Sequence, residues 1–197
     1  MYMLKKQCKS IIRWVYKILA SAVLPIYFLE YFVLRSNYKS IAIKLSAYQG
    51  EFGFIIREIF YRNTLRKCGR NLRVHYGAYI VYPTVEIGSN VCIEEFSIVS
   101  NCCIGDDVIL AARVSIMSGA HHHEVNNLEV KFNASSGKLK KVIIGNNVWI
   151  GTHAVIMNDI GSDVIIGAGS IVTKQIPDKC VAVGVPAKVK SIRGKNG

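Results

Sequence analysis

The chain has 197 residues, 51% of them apolar, which supports one domain with a sizeable core and excludes a disordered chain. Its net charge of +12 is uneven: residues 1–75 carry 14 Lys and Arg against 3 Asp and Glu, residues 76–197 carry 11 against 10. The six cysteines (Cys8, Cys68, Cys92, Cys102, Cys103, Cys180) lack zinc-ribbon spacing, and no cleavable signal peptide is read, so reduced thiols in the cytoplasm are expected.

Residues 1–74 read as a helical, basic region. Within it "ILASAVLPIYFL", Ile18 to Leu29, carries no charge. Twelve residues are too few to span a bilayer, and Pro25 is expected to break or kink a helix there. Two readings stand for this basic, oily leader, with residues 1–45 as its reach. It lies on an anionic membrane surface, or it is a helical hairpin packed on the rest of the protein. Next, "EFGFIIREIFYRNTLRKCG" has apolar residues at Phe52, Ile55, Ile56, Ile59 and Phe60. That is helical spacing, Gly69 is the expected stop, and the helix would cap whatever follows.

From about residue 85 the texture changes. "IGSNV", "IGDDV", "IGNNV", "IGSDV" and "IGAGS" begin at Ile87, Ile104, Ile144, Ile160 and Ile166. Aliphatic residues recur in steps of six: Ile87 and Ile93; Ile98, Ile104, Leu110 and Ile116; Ile144, Ile150 and Ile156; Ile166 and Val172. A small or β-branched residue follows most of them by four, as at Val91, Ser97, Val108, Val114, Ala120, Val148, Ala154 and Ser170. A period of six fits neither a helix nor a simple strand. It predicts short strands joined by turns at Gly, Asn and Asp, three per coil, stacked by parallel pairing into a triangular prism over residues 75–197. The phase slips between Ile93 and Ile98, and Ile156 to Ile166 is two residues short of two units. Between Ala120 and Val142 the pattern is absent, which predicts a protruding functional loop at 121–141 with "SGAHHHE" at its root.

"VIIGNNVWIGTHAVI" and "IGAGSIVTKQIP…VAVGVPAKV" resemble the left-handed β-helix, hexapeptide-repeat acyltransferases, and the likeness covers roughly residues 75–193. More loosely, "REIFYRNTLRKCGRNLRVHYGAYI" resembles the leader of members that O-acetylate sugars during surface-polysaccharide synthesis. The resemblance implies an all-β, left-handed parallel β-helix solenoid behind the helical region. It also implies a homotrimer with the active site between neighbouring subunits, and acetyl-CoA as acyl donor. The family's catalytic histidine stands at the start of the protruding loop. Counting from Ile116 gives His121 as general base, with His122 the alternative if the register moves by one and His123 a loop residue. A neutral imidazole suits the task, because a sugar hydroxyl is a poor nucleophile until its proton is removed. Glu94, Glu95 or Glu124 would orient that ring. Carried over by position, Trp149, Thr152, Ala168, Thr173 and Lys174 would contact CoA, and Lys188, with Arg193 behind it, would meet its phosphates.

The expected function is therefore acetyl transfer from acetyl-CoA to a sugar hydroxyl in surface polysaccharide synthesis, in the cytoplasm or at the inner face of the cell membrane. Transfer to the amine of an amino sugar is the main alternative. A zinc site like that of the solenoid carbonic anhydrases would need His121 with His75 and His153. Three consecutive histidines in extended backbone cannot converge on one ion, and no metal is expected. A membrane scaffold without catalysis would leave the histidines and the CoA-like segments without a purpose. Nucleic acid is not expected as a partner, since no recognition module is present.

Overall fold

The computed structural model describes residues 2–119, 123, 127–135, 137 and 139–194, without the side chains of residues 2–9. Three helices, α1 (Tyr2–Phe28), α2 (Tyr38–Ser46) and α3 (Gly50–Thr64), precede a parallel β-solenoid of six turns. Its first face stacks β1 (Lys67–Cys68), β4 (Glu86–Ile87), β7 (Cys102–Ile104) and β10 (Val142–Ile144), and continues through bridges at Ile160 and Ile176. The second stacks β2 (Arg73–Val74), β5 (Cys92–Ile93), β8 (Ile109–Leu110), β11 (Trp149–Ile150), β13 (Ile165–Ile166) and β15 (Cys180–Gly184). The third stacks β3 (Tyr79–Ile80), β6 (Ile98–Val99), β9 (Ser115–Ile116), β12 (Val155–Ile156) and β14 (Ile171–Val172). A final antiparallel strand, β16 (Ala187–Ile192), folds back on β15.

The inward residues form the columns that the period of six predicts, with one correction. Val99, not Ile98, points into the core, so Ile93 to Val99 keeps the step of six and the short step falls between Val99 and Ile104. Two adjacent aliphatic residues hide which one is buried. Inward residues on the first and second faces, and on the second and third, are always six apart. Every irregularity lies where the third face turns into the first. The steps there are seven (Ile80 to Ile87), five (Val99 to Ile104), twenty-eight (Ile116 to Ile144), then four at Ile156 to Ile160 and four at Val172 to Ile176. The two-residue pinch read between Ile156 and Ile166 is thus one shortened corner, and it recurs one coil later.

Glycine explains the first corner. Gly69, Gly88, Gly105, Gly145 and Gly161 stack coil on coil, and a Cβ on Gly69 would lie 2.5 Å from the backbone of Gly88. Two residues on, Asn71, Asn90, Asp107, Asn147 and Asp163 take positive φ, which Asn and Asp tolerate better than other side chains. Their side chains link neighbouring coils, for example Asn90 Nδ2 to Asp107 Oδ1 at 2.9 Å and Asn71 Nδ2 to Asn90 Oδ1 at 2.9 Å. Gly69 belongs to this column and does not stop a helix: α3 ends at Thr64, and the first coil starts at Lys67, eight residues before the expected boundary.

α2 and α3 cover the open edge of that coil. Buried Arg57 donates from Nε to the Val74 carbonyl at 2.8 Å and from Nη1 to the carbonyls of Leu45 and Tyr48 at 2.9 and 2.7 Å. Tyr61 Oη accepts the Ile80 N–H at 3.2 Å, and the Ser46 carbonyl accepts the Gly77 N–H at 2.9 Å. Burial pulls the Arg57 guanidinium down to about 10, still charged at neutral pH.

α1 departs from the sequence-based expectation. It runs through Pro25 without a break and passes into a π-helical turn at Leu29–Val33. Ser10–Val33 is 24 residues long and, by length and composition, apolar enough to cross a membrane, so the expected twelve-residue limit does not hold. One side of this helix packs on α3: Ala20 and Leu24 are buried, and Tyr16 meets Phe52 at 6.0 Å.

The glycine column makes a stability prediction. Gly88→Ala should cost about 3 kcal/mol, because neither facing backbone can retreat. Gly169→Ala, with open space but φ +68°, should cost about 1 kcal/mol. Urea unfolding of the two variants measures the difference, and equal losses would contradict the close-approach explanation.

Candidate functional site

The long insertion leaves the solenoid at its irregular corner, and its neck is well defined. The Lys140 N–H donates to the Ser118 carbonyl at 2.8 Å, closing the loop's stem. Ser118 is buried, and its Oγ accepts the Asn101 N–H at 3.1 Å. Gly119 beside it has φ +83°, and a Cβ there would strike the Lys140 side chain at 2.7 Å. His121, His122 and Glu124 lie outside the described residues. His123 is exposed in the loop, with Nδ1 3.1 Å from Ser135 Oγ and its ring 6.3 Å from that of Phe132.

Two lysines pin the loop's exit in opposite directions along the stack. Lys140 Nζ reaches Asn158 Oδ1 at 2.8 Å and Asp159 Oδ2 at 2.9 Å, one coil on. Lys141 Nζ reaches Glu86 Oε1 at 2.8 Å, on the first face toward the N-terminal end. The Lys141 hydrogen bond holds the Glu86 carboxyl below the ordinary range, and the same bond raises Lys141. Asn158 Nδ2 also donates to the Thr173 carbonyl at 3.1 Å. Ser118, Asn158 and Lys174 occupy the same corner position in three successive coils, so Lys174 stands two rungs, about 10 Å, from the neck. Asn158 and Lys140 were not singled out in the sequence. Their only signal is the shortened corner itself.

The other positions carried over for CoA lie elsewhere on the same chain. Trp149 is half exposed on the outer side of the second face. Thr152 and Ala168 stack on adjacent coils at the corner between the second and third faces, joined by the Gly169 N–H to the Thr152 carbonyl at 2.8 Å. The Thr152 hydroxyl donates to the Ala112 carbonyl at 2.6 Å, and its oxygen lies 3.0 Å from His153 Nδ1. Exposed Lys188 is on β16, paired with Val183, whose side chain covers Gly167. Arg193 lies just beyond β16, and its N–H donates to the Lys179 carbonyl at 2.8 Å. The described residues therefore form two groups on opposite edges of the third face: Trp149, Thr152, Ala168 and Lys188 on one side, Thr173 and Lys174 beside the loop on the other.

His75, Glu95 and His153 lie away from the loop neck. Glu95 pairs with His75, Oε1 to Nδ1 at 2.8 Å, and that bond lowers its carboxyl. His153 sits at a corner with φ +60°, beside Thr152 Oγ1 at 3.0 Å. His75 and His153 belong to the first and fourth coils, about 14 Å apart along the stack, and cannot share an ion. Among the described residues no group of three or more His, Cys, Asp or Glu is arranged to hold a metal. Cys68, Cys92, Cys102, Cys103 and Cys180 are free.

Comparison with known proteins points one way. The chain is 35% identical over 147 residues to a galactoside O-acetyltransferase of Escherichia coli, covering 68% of this chain and 66% of that one. A maltose O-acetyltransferase from Clostridium difficile has a matching structure, with 30% identity, a TM-score of 0.72, and coverage of 86% of this chain and 92% of that one. A galactoside acetyltransferase in complex with coenzyme A matches at 28% identity and a TM-score of 0.63, over 84% of this chain and 82% of that one. The chain spans between 41% and 66% of the length of the first curated relatives it matches. No protein-family model matches it.

The loop's anchor should respond to pH with a definite sign. A carboxyl depressed in the folded state stabilises above its ordinary value, and that contribution is lost as pH falls through the depressed one. Wild type should therefore melt above Lys141→Met at pH 7 by a few degrees at most, and the gap should narrow as pH falls below the ordinary carboxylate range. A gap that widens on acidification would refute this.

Proposed function

We propose that this chain, which belongs to the hexapeptide-repeat acetyltransferase family, transfers acetyl from acetyl-CoA to a hydroxyl of a sugar acceptor. The observation that carries this reading is the loop neck at Ser118 and Lys140, two rungs from Thr173 and Lys174 in the CoA-like segment. Relatives named for galactoside and maltose O-acetylation support a sugar hydroxyl, and a relative held with coenzyme A supports the donor.

In this mechanism His121, two residues past Gly119, is the general base, and His122 is the alternative. Its neutral imidazole takes the acceptor's hydroxyl proton as the oxygen attacks the thioester carbonyl. Collapse of the tetrahedral intermediate breaks the carbon–sulfur bond, and the imidazolium returns its proton to the departing thiolate. Lys174 and Lys188 supply ammonium groups for CoA phosphates, while Trp149, Thr152, Ala168 and Thr173 shape the groove. The two groups of residues face away from each other on one chain. A homotrimer that sets one copy's Thr152–Ala168 edge against the next copy's loop corner would join them into one site, and the exposed apolar side chains of Ile109 and Trp149 offer such a packing surface. A lipid-linked glycan in surface polysaccharide synthesis is the acceptor class that suits a basic, apolar leader. An amino-sugar acceptor would use the same base.

Calorimetric titration of acetyl-CoA, with mass measured in the same buffer, tests the donor site without knowledge of the acceptor. One site per chain in a trimer is expected, with affinity about tenfold lower in Lys174→Ala, the size of one charge-assisted contact. His121→Ala should bind acetyl-CoA like wild type and lose about 10²–10⁴-fold in turnover on an accepted sugar. No binding by the folded protein would overturn the transferase reading, and loss in His122→Ala alone would move the base by one residue.

A further inference from the structure

α1 and its π-helical extension have two apolar sides, and only one has a partner. The inner stripe, Tyr16, Ala20, Leu24, Tyr27 and Tyr31, faces α3 and α2, with Tyr27 Oη 3.0 Å from Tyr48 Oη and the Tyr31 ring 5.3 Å from Tyr38. The outer stripe is Ile11, Val15, Ile18, Ile26, Leu29 and Val33, with exposed Ala22 filling the gap. Its steps of four and three keep it on one line for about 33 Å. Each of the six large residues is 43–65% exposed, and Trp14 beside them is 64% exposed. A water-facing side of a soluble helix is polar; this one is apolar along its whole length.

The charge around it is as one-sided. α1 carries Lys5, Lys6, Lys9, Arg13 and Lys17 and no acidic residue. The segment's three acids are already compensated: Glu30 by Lys44 at 2.9 Å, Glu51 by Arg13 at 3.4 Å, and Glu58 by Arg62 at 2.8 Å. Lys17, which lines a cleft with Glu58 on the α3 side, and Arg35 and Lys39 form no ion pair among the described residues.

We infer that the outer stripe of α1 is a docking surface for an anionic lipid bilayer, lying in the membrane plane with its apolar side chains at the headgroup boundary. Lys and Arg along the helix meet the lipid phosphates, each worth about 1 kcal/mol near a negative surface. The helix lies flat rather than spanning, although Ser10–Val33 is long enough. Its inner side is fastened to α3, and spanning would drag the ion pairs of Arg13, Glu51, Glu58 and Arg62 into hydrocarbon. A second copy is a poor occupant, because residues 1–45 carry eight Lys and Arg against one Glu and two copies brought together would repel. The inference is independent of the acetyl-transfer reading.

Sedimentation of the full chain with vesicles tests it, using phosphatidylcholine alone and with about 30% phosphatidylglycerol, at low and high salt. Partition to the anionic vesicles should exceed that to neutral ones at least tenfold and fall at high salt. Ile18→Glu/Ile26→Glu should weaken it at least tenfold while its melting temperature and acetyl-CoA affinity stay those of wild type. Equal partition of variant and wild type would overturn the proposal. So would retention that only detergent reverses, which means a spanning helix, or a lipid-free oligomer that the variant dissolves, which means a protein-covered face.

Discussion

A coil of this solenoid can satisfy its backbone only with another coil. Its strands before β15 are two or three residues long, and nearly every N–H that faces along the stack donates to a carbonyl one coil away, as Ile109 does to Val148 and Gly145 to Ile160, both at 2.9 Å. From this follow the glycine column, where backbones approach too closely for a Cβ, and the need to finish both ends. At the first end Arg57 and Tyr61 stand in for the missing coil. At the last, β16 turns back on β15 and covers the open edge of the second sheet.

The same obligation decides where a site can be inserted. Two of the three corners are fixed at steps of six by columns of buried side chains above and below. At the third, steps of seven, five and four are all accommodated, so that corner is already free of the length constraint. A loop of more than twenty residues opens there without disturbing register: Ser115 and Val155 pair across it as regularly as Val155 and Ile171 do one coil later. Lys140 and Lys141 then tie the loop to the coils on either side, so the insertion has a fixed root.

Much of this was legible in the chain because the repeat writes itself in residue types with single physical purposes: aliphatic inward, glycine at close approach, Asn or Asp at positive φ. What was misread lies where one residue type serves two purposes. Ile98 and Val99 are both aliphatic, and only the pairing of β6 shows which is inward. Gly69 stops helices elsewhere and here begins the glycine column. Pro25 removes one N–H, yet α1 continues, because Leu24 and Tyr27 on either side are already held by the packing on α3. The site was only partly legible for a different reason. Its candidate members were chosen by their spelling, but spelling does not say that Thr173 and Lys174 share an edge with the loop while Thr152 and Ala168 lie on the opposite one.

The division of labour among the helices gives α1 its meaning. The polar groups of the first coil's edge are met by Arg57 and Tyr61 of α3 and by the end of α2. α1 supplies none of those bonds; its packing is on α3, through a narrow stripe with Ala20 and Leu24 at its centre. A helix kept only to support α3 would need that stripe and could be polar elsewhere. Instead, its far side is apolar from Ile11 to Val33, with a large side chain at every turn but that of Ala22, on a helix that carries five Lys and Arg and no acid. Exposed isoleucine and valine contribute nothing to the fold in water and invite aggregation. Their cost is offset where that side meets lipid as proposed, and α1 is then the part of the chain shaped by its surroundings rather than by the solenoid.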